Sequence, residues 1–171
     1  PGQFGGGIGY SGSQGVVLTG NVVHTNLFGT GQRLALNVSA GQLSKVYDIS
    51  YTDPYVTVDG LSRTLSFSYR DIDRLTSSFS QFSTKLYTAG SEIAYPITEL
   101  QTIRFGASLE HAELATPLTS SLQLQDWVRH NGDPFFRLLS GGDFLLGTEY
   151  DAVELSAGWV RDSRNRLLFP T

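Results

Sequence analysis

The sequence predicts an all-β fold, an antiparallel, barrel-type sheet of about eight strands. Apolar and polar residues alternate through most of the chain, and the side chains of a strand alternate between its two faces. Glycine provides 19 of the 171 residues and often stands between the alternating runs, as expected of tight turns. The connections are unequal, because compact turns lie at one end of the predicted sheet and longer loops at the other.

Each predicted strand is an alternating run bounded by turn residues. The first is Gly2–Ser11, and the second and third flank a glycine turn at 26–31. The later runs lie at about 45–55, 65–70, 87–95, 102–110 and 153–159. The compact turns are 27–32, 56–60 and 96–100. Strands of about ten residues are long enough to cross a bilayer when tilted.

The last connection is predicted to be a long loop at about 114–149 that contains a short helix at about 120–131. Ser120 and Gln123 fit a capping box, and Gly132 can end the helix. Leu124, Trp127 and Val128 share one helical face. We therefore expect residues 1–171 to form a single β-barrel or half-barrel domain.

Composition excludes several classes of function. The formal net charge of −4 and the absence of basic clusters argue against nucleic acid, whose phosphates require Lys and Arg. Without cysteine, neither disulfides nor thiolate metal sites can form. The three histidines, His24, His111 and His130, lack the spacing of a zinc site. We predict no catalytic residue, no metal and no cofactor.

Six charged residues are predicted on the polar face, where they would form an interior charge network. In a membrane barrel this face lines the lumen, where both signs can pair, whereas charges facing lipid are costly. Aromatic residues gather in two bands, as expected at the two membrane interfaces. These observations favour a membrane barrel over a soluble, lipocalin-like carrier with its apolar face inward. The six charged residues are Asp48, Arg70, Glu92, Arg104, Glu110 and Glu154. The aromatic bands are Tyr51, Tyr55, Tyr95 and Trp159 near the short turns, and Tyr10, Tyr47, Tyr69, Tyr87 and Tyr150 at the other end.

Four motifs, each at or beside a predicted short turn, together resemble the BamA family of outer-membrane protein assembly factors. The resemblance covers essentially the whole chain and matches the first half of the family's sixteen-stranded barrel, without its POTRA domains. The motifs are Asn26-Leu27-Phe28-Gly29-Thr30-Gly31, Thr52-Asp53-Pro54-Tyr55 with Val58-Asp59-Gly60, Tyr95-Pro96-Ile97-Thr98-Glu99, and Phe169-Pro170-Thr171.

The resemblance implies a function in the outer membrane of a Gram-negative bacterium. The family folds and inserts unfolded outer-membrane proteins, with lipoprotein partners, and uses no cofactor. It also implies a lateral gate, a weak seam of which the first strand is one side. The gate residues are then Phe4, Gly5, Gly6, Gly7, Ile8, Gly9 and Tyr10. The alternative is an isolated eight-stranded barrel that acts as a small pore or membrane anchor without insertase activity.

An open half-barrel would expose two sheet edges, which natural proteins avoid. We therefore expect the chain either to curl into a closed eight-stranded barrel or to pair with a second copy.

Overall fold

The computed structural model describes residues 2–12, 14–73, 82–138 and 144–162, which form one antiparallel sheet of nine strands. The all-β antiparallel prediction is confirmed. The strands are β1 (Gly2–Ser11), β2 (Gly15–His24), β3 (Arg33–Ala40), β4 (Ser44–Asp53), β5 (Ser62–Asp73), β6 (Ser83–Thr98), β7 (Gln101–Pro117), β8 (Asp133–Leu138) and β9 (Phe144–Arg161), with helix α1 (Leu122–His130) between β7 and β8. The motif at 169–171 lies outside the described residues. No helix in the described part of the chain is long and apolar enough to span a membrane.

The short turns have the geometry that their residues predict. In the first turn, the Asn26 side-chain oxygen accepts a hydrogen bond from the Gly31 N–H at 2.7 Å. Phe28, Gly29 and Gly31 all have positive φ angles, which glycine adopts without steric cost. In the second turn, the Val56 N–H donates to the Leu61 carbonyl at 2.8 Å. These hydrogen bonds close the two turns.

The strand count differs from the prediction, because the segment predicted as a loop at 114–149 contains most of a further hairpin. Strand β7 continues to Pro117, β9 begins at Phe144, and β8 pairs with β9. The sequence of β8 does not alternate, and Pro134 would interrupt a central strand. Pro134 is tolerated because β8 lies at the edge of the sheet.

Helix α1 lies inside the range 120–131, but it is capped one residue later than the sequence predicts. The Ser121 hydroxyl, rather than that of Ser120, accepts the Leu124 N–H at 3.4 Å. The Gln125 side-chain amide donates to the carbonyls of Ser120 and Leu118, at 2.9 and 2.7 Å. These bonds satisfy two backbone carbonyls that precede the helix.

Helix α1 and strand β8, here called the cap, pack on the ends of β7 and β9 and cover the small core of the molecule. The Phe135 ring lies over Gly147, its partner in the β8–β9 register. The Arg137 guanidinium stands 5.2 Å from the centre of that ring and 3.1 Å from the Glu113 carboxylate. The Thr148 hydroxyl donates to the Asn131 carbonyl at the helix end. Among the described residues, the buried ones are Ala112, Ala115, Thr116, Gln125, Val128, Leu145, Leu146, Gly147 and Thr148.

The sheet is open within the described residues. Strand β1 pairs only with β2, and β9 beyond residue 149 pairs only with β7. Closure of one chain into an eight-stranded barrel, one of the two expected outcomes, is therefore not what the structure shows. Arg104 and Glu92 on its polar face are accordingly 55% and 50% exposed.

Candidate functional site

The strand registers place all six predicted interior charges on one face of the sheet, here called the inner face. Asp48 and Glu110 belong to one row across the strands, in which Ser68 and Thr88 stand between them. The other four charged residues lie an even number of positions from this row along their strands. Side chains two positions apart share a face, so the six charges face the same space.

Only one ion pair joins members of this set among the described residues. The Arg104 Nη1 lies 3.9 Å from the Glu92 Oε1. Because both side chains are half exposed, we expect the pair to add less than about 1 kcal/mol of stability. The other four charges stand on the same face without an ion-pair partner in the described chain.

A shallow depression of about 260 Å³ separates Glu92 from Glu154 on the inner face. Its floor includes Gly90 and Gly106, whose missing side chains leave space for the hydroxyls of Ser66 and Ser156. The two carboxylates therefore face a common polar space lined by small residues. In the described residues, no three His, Asp or Glu side chains converge to hold a metal ion.

The opposite face, here called the outer face, carries three successive kinds of row. An apolar row crosses the sheet as Ile49, Phe67, Ala89, Leu109 and Val153. The next row is Tyr47, Tyr69, Tyr87, His111 and Asp151, here called the tyrosine row. Its ring centroids are 5.9, 4.8 and 6.0 Å apart from Tyr47 to His111. The third, the charge row, is Lys45, Asp71, Lys85, Glu113, Glu149 and, on β8, Asp133.

This order of rows is that of a membrane-facing wall, in which an apolar band ends at aromatic residues and then at charges. The tyrosine row contains three members of the aromatic band that was predicted at the end of the sheet opposite the short turns. Tyr150, also assigned to that band, lies instead on the inner face, in the row of Arg70 and Ala112. Its position is one residue out of phase with the outer face, so its ring cannot join the band.

Strand β1 forms one edge of the sheet, and its apolar side chains are on the outer face. Phe4, Ile8 and Tyr10 are 89%, 80% and 81% exposed. The inner-face positions between them are glycines. A Cβ on Gly5 would lie 2.6 Å from the Asn21 side-chain oxygen, and one on Gly9 would meet nothing within 4 Å. The edge therefore presents backbone groups with almost no inner-face side chains.

Comparison with known proteins identifies the family. A model of the Omp85 superfamily domain matches residues 26–171. The chain belongs to the Omp85 superfamily. Its antiparallel wall is part of a transmembrane β-barrel of the bacterial outer membrane, and the family resemblance inferred from the turn motifs is confirmed.

The chain is similar to two BamA proteins. The chain is 29% identical over 160 residues to the outer membrane protein assembly factor BamA of Neisseria meningitidis serogroup B, covering 92% of this chain and 19% of the relative. The crystal structure of BamA from Haemophilus ducreyi lacking POTRA domains 1–3 matches 99% of this chain and 31% of the crystal chain, with a TM-score of 0.63 and 26% identity. The chain thus spans about a fifth of its curated relative.

Proposed function

We propose that this chain is part of the barrel wall of an outer-membrane protein assembly factor, which folds and inserts other outer-membrane proteins. The similarity to BamA proteins over nearly the whole chain supports the general function. Its partners are then outer-membrane lipid, unfolded client proteins and the lipoproteins of an assembly complex. Pairing of two half-barrels is a second arrangement that would cover the open edges.

The main support for the proposal is that β1 is an edge strand, that it is rich in glycine and that its apolar side chains are exposed. An edge strand offers unpaired N–H and C=O groups to which an incoming strand can add. Gly5, Gly7 and Gly9 occupy successive inner-face positions, so a strand added there gains backbone hydrogen bonds but few side-chain contacts. Such pairing is weak enough to reverse. We therefore assign β1 as one side of a lateral gate, with Phe4, Gly6, Ile8 and Tyr10 facing lipid.

A photocrosslinking experiment tests this assignment. A photoreactive phenylalanine analogue replaces Ile8 in the full-length protein, and Leu109, which is also exposed on the outer face but lies on a strand paired on both sides, is the control. We expect a folding client to crosslink to position 8 about tenfold more than to position 109, because β1 has a free edge to which a strand can add, whereas β7 is paired on both sides. Equal crosslinking at both positions, or conductance in liposomes without faster client folding, would favour the small-pore alternative.

A second prediction concerns Gly9. A Cβ at this position meets nothing within 4 Å, so Gly9→Val leaves the fold intact and adds a β-branched side chain to the edge. A new cross-strand contact contributes about 0.2–1 kcal/mol, so we expect client release to slow about two- to fivefold. The measurement is the rate of client folding into liposomes by the full-length protein. Gly20→Val is the matched control, since its Cβ also meets nothing but lies on the internal strand β2. An equal effect of both variants would contradict a special role for the edge.

A further inference from the structure

Polar side chains of β2 lean over the glycines of β1 toward the edge of the sheet. On the inner face, Gly5 pairs with Asn21 and Gly7 pairs with Thr19. The Asn21 Oδ1 lies 2.6 Å from the point where a Cβ on Gly5 would stand, and the Thr19 Oγ1 lies 3.2 Å from the corresponding point on Gly7. The amide of Asn21 therefore occupies space above β1 that the glycine leaves open, and it reaches toward the position of an added strand.

The three inner-face glycines of β1 differ in what stands above them. The Thr19 hydroxyl, above Gly7, donates to the Gly7 carbonyl at 3.4 Å. Gly9 pairs with Val17, and a Cβ on Gly9 would meet nothing within 4 Å. The Asn21 side chain makes no hydrogen bond with any residue in the described part of the chain. Of these three positions, Gly5 is thus the one with an available hydrogen-bonding group above it.

An added strand would continue both faces of the sheet. When its apolar side chains lie beside those of β1 on the outer face, its alternate side chains lie on the inner face. The inner-face row at Gly5 continues inward as Asn21, Asn37 and Asp48, all polar. The residue of the added strand that stands opposite Gly5 extends this row by one strand spacing, about 4.8 Å. Because the amide of Asn21 already lies above Gly5, a polar side chain from that residue can reach it.

We propose that Asn21 selects the client strand that adds to β1, by hydrogen bonding to a polar side chain at the client's inner-face position opposite Gly5. The amide both donates and accepts, so it fits asparagine, glutamine, serine or threonine at that position. A glycine-rich strand specifies register weakly, and a slip of two residues keeps every side chain on its face. A hydrogen bond at one inner-face position favours one register. This inference rests on the proposed lateral gate.

Disulfide trapping in the full-length protein tests the selection. The Ile8→Cys protein in liposomes is equilibrated, in a glutathione redox buffer, with a ten-residue peptide of alternating apolar and polar residues. The peptide has a cysteine three residues before an asparagine. In antiparallel pairing, the asparagine stands opposite Gly5 when the cysteine stands opposite position 8. A second peptide has valine in place of the asparagine, and mass spectrometry gives the ratio of the two disulfide yields.

Removing the amide should lower the preference for the asparagine peptide. We expect Asn21→Ala to reduce the ratio of asparagine to valine peptide about three- to tenfold, the effect of one hydrogen bond. Differences in strand propensity between the two peptides are the same in both proteins and cancel. Asn37→Ala is the matched control, since Asn37 is the next amide of the row but lies on the internal strand β3. It should leave the ratio unchanged.

A second variant reaches the same amide from the edge. A methyl group in Gly5→Ala would stand 2.6 Å from the Asn21 oxygen and displace it, so the ratio should fall as well. Folding of each variant is checked by the shift in electrophoretic mobility on heating. A ratio that Asn21→Ala leaves unchanged, or that Gly5→Ala leaves unchanged if Asn21→Ala does not fold, would overturn this inference while the gate assignment stands. Disulfide formation at position 8 no greater than in Leu109→Cys would overturn the gate assignment, and this inference with it.

Discussion

Replacing Gly147 by valine is expected to detach the cap from the sheet. The Phe135 ring occupies the space above Gly147, so a valine side chain there displaces the ring from its site. Phe135 is partly buried, and overpacking of this kind typically costs about 1–3 kcal/mol. Because 1.4 kcal/mol is a factor of ten, the open form of the cap should become about five to a hundred times more populated.

The measurement is the rate of trypsin cleavage after Arg129 and Arg137, which lie in α1 and β8. When the cap opens and closes faster than it is cut, this rate follows the open population. Gly158→Val is the matched control, because Gly158 is on the same strand and a Cβ there meets nothing within 4 Å. Cleavage of the two variants at the same rate would show that the Phe135 contact does not hold the cap.

Replacing Gly132 by alanine should destabilise the same region by a different mechanism. Gly132 lies two residues after the end of α1 at His130 and has a φ of +73°, a conformation that costs about 1–2 kcal/mol in other residues. In addition, its Cβ would collide with the backbone carbonyl of Glu149. We expect these two effects to lower the opening free energy of α1 by about 3 kcal/mol or more.

Gly31→Ala separates the two contributions. Gly31 has nearly the same φ, +77°, but a Cβ there meets nothing within 4 Å. Its variant should therefore show the conformational cost alone, about 1–2 kcal/mol. Hydrogen exchange of the amides around each glycine measures both values. If the two variants lose the same amount, the collision with Glu149 contributes nothing.

The strands and short turns could be predicted from the sequence because their determinants are local. Alternation fixes which residues share a face, and Asn26 with Gly29 and Gly31 fixes the first turn. The assignment of six charges to one face follows from the same alternation. Their pairing could not be predicted, because distances across the sheet depend on register, and the register brings only Arg104 within 4 Å of a carboxylate of the set.

The cap could not be predicted in full because its structure depends on distant contacts. Strand β8 has no alternation, and it is held by the Phe135 ring on Gly147 and by the ion pair of Arg137 with Glu113. Tyr150 shows a related difficulty, since its position in the chain suggests an aromatic band whereas its phase places it on the inner face. The charge row is visible in the sequence only as scattered single charges, and it becomes a row once neighbouring strands are aligned.

The charge row has a consequence for how the wall assembles. A slip of one residue between neighbouring strands would exchange the two faces, which the apolar pattern already forbids. A slip of two residues keeps every side chain on its face, so hydrophobicity alone opposes it weakly. In that slipped sheet, Asp71 would stand opposite Tyr47 instead of Lys45. The slip separates Lys45 from Asp71 and moves a carboxylate to the depth of the aromatic rings. The opposite charges of Lys45, Asp71 and Lys85 thus favour the correct alignment of these strands.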